Sequence, residues 1–220
     1  ATTGTVTLTA SNAAAATVST ISDAITAKNV TLADGTFDVN GTITVSDTLS
    51  IAGDTGAALA GVDAGTTGQV VINTANDVSA TTTDAATIIS NGAGAAALGT
   101  VKYSDAATAA TVTVANGGST MDINDSANTS VFTVTTGTGV DNVTITDLLA
   151  TSSVSTGGGA DVIDNQESVA VTIDAGAGAD TITLNAGFTG SADGGDDSDG
   201  LVLAAGGNYA STNGIWTNIE

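Results

Sequence analysis

The chain has 220 residues and a net charge of −21, from 23 acidic residues against two lysines, Lys28 and Lys102, with no His, Cys or Pro. Such a charge repels nucleic-acid phosphates and anionic membrane surfaces, so no nucleic-acid partner is expected, and it opposes any compact state unless cations are bound. Aromatics make up only 3 %, so the core must be built from β-branched and methyl-bearing side chains, as in a narrow coil and unlike a globular enzyme.

Among the acids only Glu167 and Glu220 are glutamate; aspartate, with its short side chain, suits turns better than exposed helices. No apolar run reaches the length that spans a bilayer as a helix, so no transmembrane segment is expected. The lack of cysteine removes a disulfide framework without excluding export. No secretory signal is visible. A start at Ala1 and an end at Trp216-Thr217-Asn218-Ile219-Glu220 read as a processed or excised piece of a longer polypeptide.

In chain order, Thr5-Val6-Thr7-Leu8-Thr9 alternates as a strand with one buried face. Residues 13–27 lose that alternation. There Val18, Ile21 and Ile25 fall near helical spacing and predict a short, weak helix or irregular coil. From Asn29 the alternation returns in the pairs Val30/Leu32, Phe37/Val39, Ile43/Val45 and Leu49/Ile51. Between them, Asp34-Gly35 and Asn40-Gly41 serve equally as hairpin turns or as corners of a coil. Residues 53–69, rich in Gly, Ala, Thr and Asp, predict a loop or irregular coil. Strands resume at 69–72 and 87–89, followed by a low-complexity stretch over 91–99. Residues 1–105 thus form a β-rich N-terminal region, either solenoid or sandwich.

Beyond Lys102 the rhythm tightens, with apolar pairs at Val112/Val114, Met121/Ile123, Phe132/Val134, Val143/Ile145, Val171/Ile173 and Ile182/Leu184. An interval of about ten residues fits two strands and two turns per repeat. One hexad recurs in each repeat: Thr136-Gly137-Thr138-Gly139-Val140-Asp141, Thr156-Gly157-Gly158-Gly159-Ala160-Asp161, Ala175-Gly176-Ala177-Gly178-Ala179-Asp180 and Gly194-Gly195-Asp196-Asp197-Ser198-Asp199. The closing aspartates stand 20, 19 and 19 residues apart, the signature of a stacked solenoid. In an ordinary β-sandwich the same Gly-Asp clusters would only be tight turns, which need no fixed spacing. Asn116-Gly117-Gly118 and the stretch from Asp122 to Asp125 offer earlier, degenerate corners. Residues 106–220 are expected to form an all-β, right-handed parallel β-roll or β-helix.

Each hexad is followed by an apolar residue two positions after its aspartate: Val143, Ile163, Ile182 and Leu201. Position by position this resembles the nonapeptide G-G-x-G-x-D-x-U-x of repeats-in-toxin (RTX) proteins, which binds Ca²⁺ in a parallel β-roll. The segment 193–203, with the Ala/Thr/Gly/Val/Asp-rich composition, is similar to bacterial surface-layer proteins exported by type I secretion. The chemistry is consistent: Ca²⁺ takes hard oxygen ligands, and glycine-rich turns let carbonyls converge beside a carboxylate.

The resemblance implies Ca²⁺ ligands at Gly137, Gly139 and Asp141, at Gly157, Gly159 and Asp161, at Gly176, Gly178 and Asp180, and at Gly195 and Asp199. About three sites would lie along one edge of the stack. Thr136, Thr156 and Ala175 replace the first glycine, and Asp197 stands at a later one, departures expected to weaken the turns. Asp193, Asp196 and Asp197 crowd so many carboxylates together that they form the strongest single metal candidate. Asp164, Asp174 and Glu167 are assigned to solvated faces.

No catalytic residues are expected: the chain lacks a nucleophile with a base, a zinc-binding motif and a phosphate-binding loop. Threonine pairs such as Thr111/Thr113, Thr133/Thr135, Thr144/Thr146 and Thr181/Thr183 suggest an ice-binding rank, but Ile163-Asp164 interrupts it, and β-propensity explains them more simply. The expectation is a structural subunit of an extracellular bacterial surface layer or filament, stabilised by Ca²⁺, with copies of itself as partners and cell-surface glycan as a further candidate. The rival is a repeat segment of a large RTX-type adhesin whose ligand-binding domain lies elsewhere.

Overall fold

A computed structural model describes residues 3–9, 18–53, 55–74, 78–91, 96–102, 109–114, 117–124, 131–207 and 215–220. Among these the regular structure is entirely strand: β1 (Thr5–Thr9), β2 (Val18–Ile21), β3 (Ile25–Ala33), β4 (Thr36–Gly53), β5 (Gly56–Thr74), β6 (Val78–Ser90), β7 (Ala96–Lys102), β8 (Ala109–Val114) and β9 (Ser119–Asn124). The C-terminal half continues with β10 (Val131–Thr135), β11 (Asn142–Thr146), β12 (Ser153–Ser155), β13 (Val162–Asn165), β14 (Thr172–Asp174), β15 (Thr181–Leu184), β16 (Ser191–Asp193), β17 (Gly200–Leu203) and β18 (Ile215–Thr217). No helix long and apolar enough to cross a membrane occurs among the described residues.

Every ladder is parallel, and each strand pairs with its equivalent one coil later, so the chain winds as a β-solenoid. Two ladders run the length of the stack. Face 1 carries β1, β3, the second parts of β4, β5 and β6, and then β8, β10, β12, β14, β16 and β18. Face 2 carries β2, the first parts of β4, β5 and β6, and then β7, β9, β11, β13, β15 and β17. The ladders β6–β8 and β7–β9 join the N-terminal region to the C-terminal repeats without a break in pairing.

The interior is a set of apolar columns. On face 1 the inward position reads Val30, Leu49, Val70, Ile88, Val112, Val134, Val154 and Ile173 in successive coils, all at or below 1 % exposed. Period-two alternation puts these side chains inside a space about one sheet separation wide, where branched aliphatics stack well. Each such residue contributes roughly 1.5–3 kcal/mol by burial, and a one-residue slip would turn the whole column out to solvent.

Two expectations fail in the N-terminal half. Val18, Ile21 and Ile25 belong to β2 and β3, not to a helix; their near-helical spacing arises because a bend at 22–24 separates two strands, and residues 13–17 lie outside the described residues. The loop or irregular coil expected over 53–69 is instead β5, 56–74, paired with register shifts and with Ala57, Leu59, Val62 and Ala64 buried. Alanine reads as loop filler in sequence but is a core residue in a coil this narrow.

Asp34-Gly35 and Asn40-Gly41 are corners, not hairpins: Asp34 takes a left-handed φ of 55°. At Gly41 a side chain would overlap the Asp23 backbone one coil earlier. Of the degenerate corners, Gly117-Gly118 stacks against Gly139 and Asp122 faces out of β9, whereas Asn116 and Asp125, like 92–95 of the low-complexity stretch, lie outside the described residues.

The coil changes cross-section along its length. In β4, inward pairs occur three times, at Phe37/Val39, Ile43/Val45 and Leu49/Ile51, with register shifts between them. From β10 onward each coil has two short strands, and the chain between them is the hexad.

Candidate metal centre

Each hexad closes on an aspartate in the inward position just ahead of its face 2 strand. The parallel register places Asp141, Asp161, Asp180 and Asp199 one above another. All four are at most 2 % exposed. The backbone N–H of Asp141 donates to Oδ1 of Asp161 (2.8 Å), that of Asp161 to Oδ1 of Asp180 (2.7 Å), and that of Asp180 to Oδ1 of Asp199 (2.9 Å). One oxygen of Asp161, Asp180 and Asp199 thereby substitutes for a ladder carbonyl, linking neighbouring coils through a side chain.

The second oxygens divide the column. Asp141 has a donor within reach of each: Ser119 Oγ donates to its Oδ1 (2.6 Å), and the Thr136 hydroxyl, whose one proton is shared with the Thr156 carbonyl 2.7 Å away, lies 2.5 Å from its Oδ2. By contrast, Oδ2 of Asp161, Asp180 and Asp199 is buried with no hydrogen-bond partner. A carboxylate in that condition retains the desolvation cost of its charge. Burial accordingly pushes Asp161 up from 3.8 to about 6, with the charges of Asp141 and Asp180 adding to it. The Asp141 amide and the nearby Thr156 hydroxyl pull the other way, but that hydroxyl also donates to the Ala175 carbonyl, 2.9 Å away. Asp180 is raised as well, by burial first and then by the charges of Asp199 and Asp197.

The turns outside this column repeat closely in the last three hexads. Gly157, Gly176 and Gly195 at the second position have φ of 81°, 98° and 96°, and Gly159 and Gly178 at the fourth have 138° and 132°. Asp197 fills the fourth position of the last hexad at φ 82°, which an aspartate can adopt. Gly158, Ala177 and Asp196 bridge in parallel between these turns.

The turns stack so closely that a Cβ on Gly178 would overlap the Gly159 carbonyl, and one on Gly195 the Gly176 carbonyl. At Gly159 a Cβ would meet both the Gly139 carbonyl and, at 3.0 Å, Oδ1 of Asp161; at Gly194 it would meet the Asn218 carbonyl and Oδ2 of Asp199. Carbonyl and carboxylate oxygens thus converge where glycine leaves room.

The first hexad departs from this pattern. Gly137 and Gly139 are not among the positive-φ glycines, and its aspartate already has protein donors, so Gly137, Gly139 and Asp141 form a closed corner. The acidic cluster is also not gathered. Asp193 faces outward on β16, where its Oδ1 accepts from Asn218 Nδ2 (2.7 Å) and the Gly195 amide (3.2 Å), while Asp196 and Asp197 are exposed and Asp199 points inside. Among the described residues no group of three or more His, Cys, Asp or Glu side chains is arranged to hold a metal.

The positions of Thr136, Thr156 and Ala175 also differ from expectation. They are buried at ordinary φ and do not strain the turns. Thr136 and Thr156 instead reach the next coil, the Thr156 hydroxyl donating to the Ala175 carbonyl (2.9 Å) and the Thr136 hydroxyl dividing its one proton between Asp141 Oδ2 and the Thr156 carbonyl (2.7 Å). Ser119, which caps the column, was not singled out in the sequence; its position 22 residues before Asp141, close to one repeat, was the available signal. Asp164 and Glu167 are surface groups, accepting from Gln166 Nε2 and from the Asp147 amide, and Asp174 is exposed on β14.

The residues present fit a hard divalent cation. The donor set is oxygen only and three buried carboxylate oxygens lack partners, while the second-position carbonyls of Gly137, Gly157 and Gly176 already accept from amides of the next turn. Asp161, Asp180 and Asp199 would hold it. The chain matches no protein-family model, and searches of curated proteins and of solved structures find no match.

Proposed function

We propose that this chain is a structural module of a bacterial cell surface, non-catalytic and extracellular, whose parallel β-coil is locked by Ca²⁺ and which assembles with copies of itself into a surface layer or filament. The observation that carries this reading is the column of three buried, half-satisfied carboxylates in a protein of net charge −21. Folding such a column without a cation leaves charge buried and unpaired; folding it around Ca²⁺ satisfies the orphan oxygens and offsets repulsion at once. Extracellular Ca²⁺ reaches the range in which weak sites of this kind fill. Three properly formed turns enclose two intercoil gaps, so two sites between residues 156 and 199 are the expected complement, with the first hexad excluded.

A solenoid supports the assembly half of the reading because its coils expose long, periodic faces. Calcium-dependent assembly tests the proposal. Purified protein should be monomeric in chelator and form ordered sheets or filaments, visible by electron microscopy, when millimolar Ca²⁺ is added. A stable monomer at all Ca²⁺ concentrations would contradict it.

A further inference from the structure

The register of face 1 reveals a surface that pairwise sequence spacing hides. Its outward positions, read coil by coil, are Thr48/Ser50, Thr111/Thr113, Thr133/Thr135 and Ser153/Ser155, with Gln69/Val71 and Thr87/Ile89 between the first two. From β1 to β12 the face 1 segments 5–9, 29–33, 48–52, 69–73, 87–90, 109–114, 131–135 and 153–155 contain no charged residue, and the exposed ion pair Lys28–Asp47 (3.5 Å) stands at their edge. Asp174 on β14 is the first acid met. The Asp164 that interrupts the threonine rank in the sequence stands on face 2, beside Thr144 and Thr183; on face 1 the aligned outward positions 111/113, 133/135 and 153/155 hold only Thr and Ser. Face 2 carries Asp38, Asp122 and Asp164 on its outward positions.

We infer that face 1 is the surface through which two copies of this chain meet, back to back. This rests on the self-assembly reading above and specifies which surface performs it. Two molecules of −21 charge repel at most orientations, and the uncharged stripe is where they approach at least electrostatic cost. An isologous contact requires a self-complementary patch, and ranks of Thr and Ser hydroxyls and methyls, able to both donate and accept, are self-complementary. Eight strands at about 4.8 Å spacing and four to five residues of width offer on the order of 500 Å² per copy. That total of about 1,000 Å² lies at the lower edge of specific interfaces, and the isologous contact closes as a pair, the unit from which a larger assembly would be built.

The test compares matched charge insertions. Thr111→Glu/Thr133→Glu on face 1 and Thr144→Glu/Thr183→Glu on face 2 are examined by sedimentation velocity with and without Ca²⁺, with circular dichroism as the folding control. The face 1 variant should remain monomeric in Ca²⁺ while the face 2 variant assembles as the parent does. A second measurement avoids introduced repulsion: in this Cys-free chain, Thr133→Cys should give disulfide-linked dimers under mild oxidation in Ca²⁺, and Thr183→Cys should not.

If the parent assembles and the face 1 variants assemble equally, the face assignment falls and the function stands. If the parent never assembles, both fall. Binding of the monomer to ice or to a neutral polysaccharide, abolished by Thr111→Glu/Thr133→Glu while assembly is intact, would give the face to that ligand and overturn the inference.

Discussion

One inward column runs the length of face 2, and its two halves are chemically opposite. From Phe37 through Ala57, Val78 and Ala96 it is apolar, every member buried; at Ser119 it turns polar, and from Asp141 to Asp199 it is a stack of carboxylates. The backbone ladder is the same in both halves. Parallel stacking is thus set by the alternating apolar pattern, and the corner column decides whether a coil buries only apolar groups or carboxylates with an unpartnered oxygen. Ser119 and Thr136 mark the junction, since they supply from the protein what the next three aspartates lack.

The comparison is broken most strongly at the stacked glycines. Gly178→Ala places a Cβ at φ 132° against the Gly159 carbonyl, and a loss of about 2–4 kcal/mol by chemical denaturation is expected from strain and overlap together. Gly65→Ala in the apolar half, at φ 63° with nothing nearby, should cost only about 1–2 kcal/mol. Gly158→Ala, whose nearest neighbour would be 3.6 Å away, should be close to neutral. Equal costs at all three would mean that the turns are not stacked.

Asp161→Asn sharpens it next, because its effect should change sign with Ca²⁺. In chelator the amide keeps the Oδ1 acceptor and removes buried charge, so stability should rise by about 1–3 kcal/mol; in Ca²⁺ the variant should be less stable than the parent. A loss under both conditions would refute the unpaired-charge account. The pH profile addresses the same group. With Asp161 raised to about 6, the folded state binds more protons than the unfolded between about pH 3.8 and 6. Stability in chelator should therefore be greatest below that window and fall as pH rises through it. Asp161→Asn should flatten that fall, whereas stability rising with pH in chelator would have the wrong sign.

The smallest effect belongs to the junction. Ser119→Ala removes one donor from Asp141 while Thr136 remains, and a loss of about 1–2 kcal/mol with unchanged Ca²⁺ response is expected. A changed response would mean that the first corner also takes an ion.

The repeat length, the parallel stack and the alignment of four aspartates were legible in the sequence because spacing of 20, 19 and 19 residues constrains a coil directly. What escaped it depends on direction. Asp193, Asp196 and Asp197 look like one cluster in sequence, yet period-two alternation and the φ of the turn send them outward while Asp199 goes in. Thr136 and Thr156 look like damaged glycines, but they occupy the inward position ahead of the turn, where a hydroxyl can tie two coils. The N-terminal coils were obscured because Ala and Gly carry no periodic signal, although Ala57 and Ala64 are core. The charge-free face emerged only once register showed which threonines share a side.

The most direct test of the central claim is thermal melting of the parent chain across a Ca²⁺ titration, beside the double variant Asp161→Asn/Asp180→Asn. Saturating a weak extracellular-type site is worth roughly 3 kcal/mol. For a chain of this size the parent's melting temperature should rise by on the order of 5–10 °C, and the double variant should show little of that rise. A parent whose strand content and melting temperature are the same in Ca²⁺ and in chelator would contradict the claim that the buried aspartate column is built around a cation.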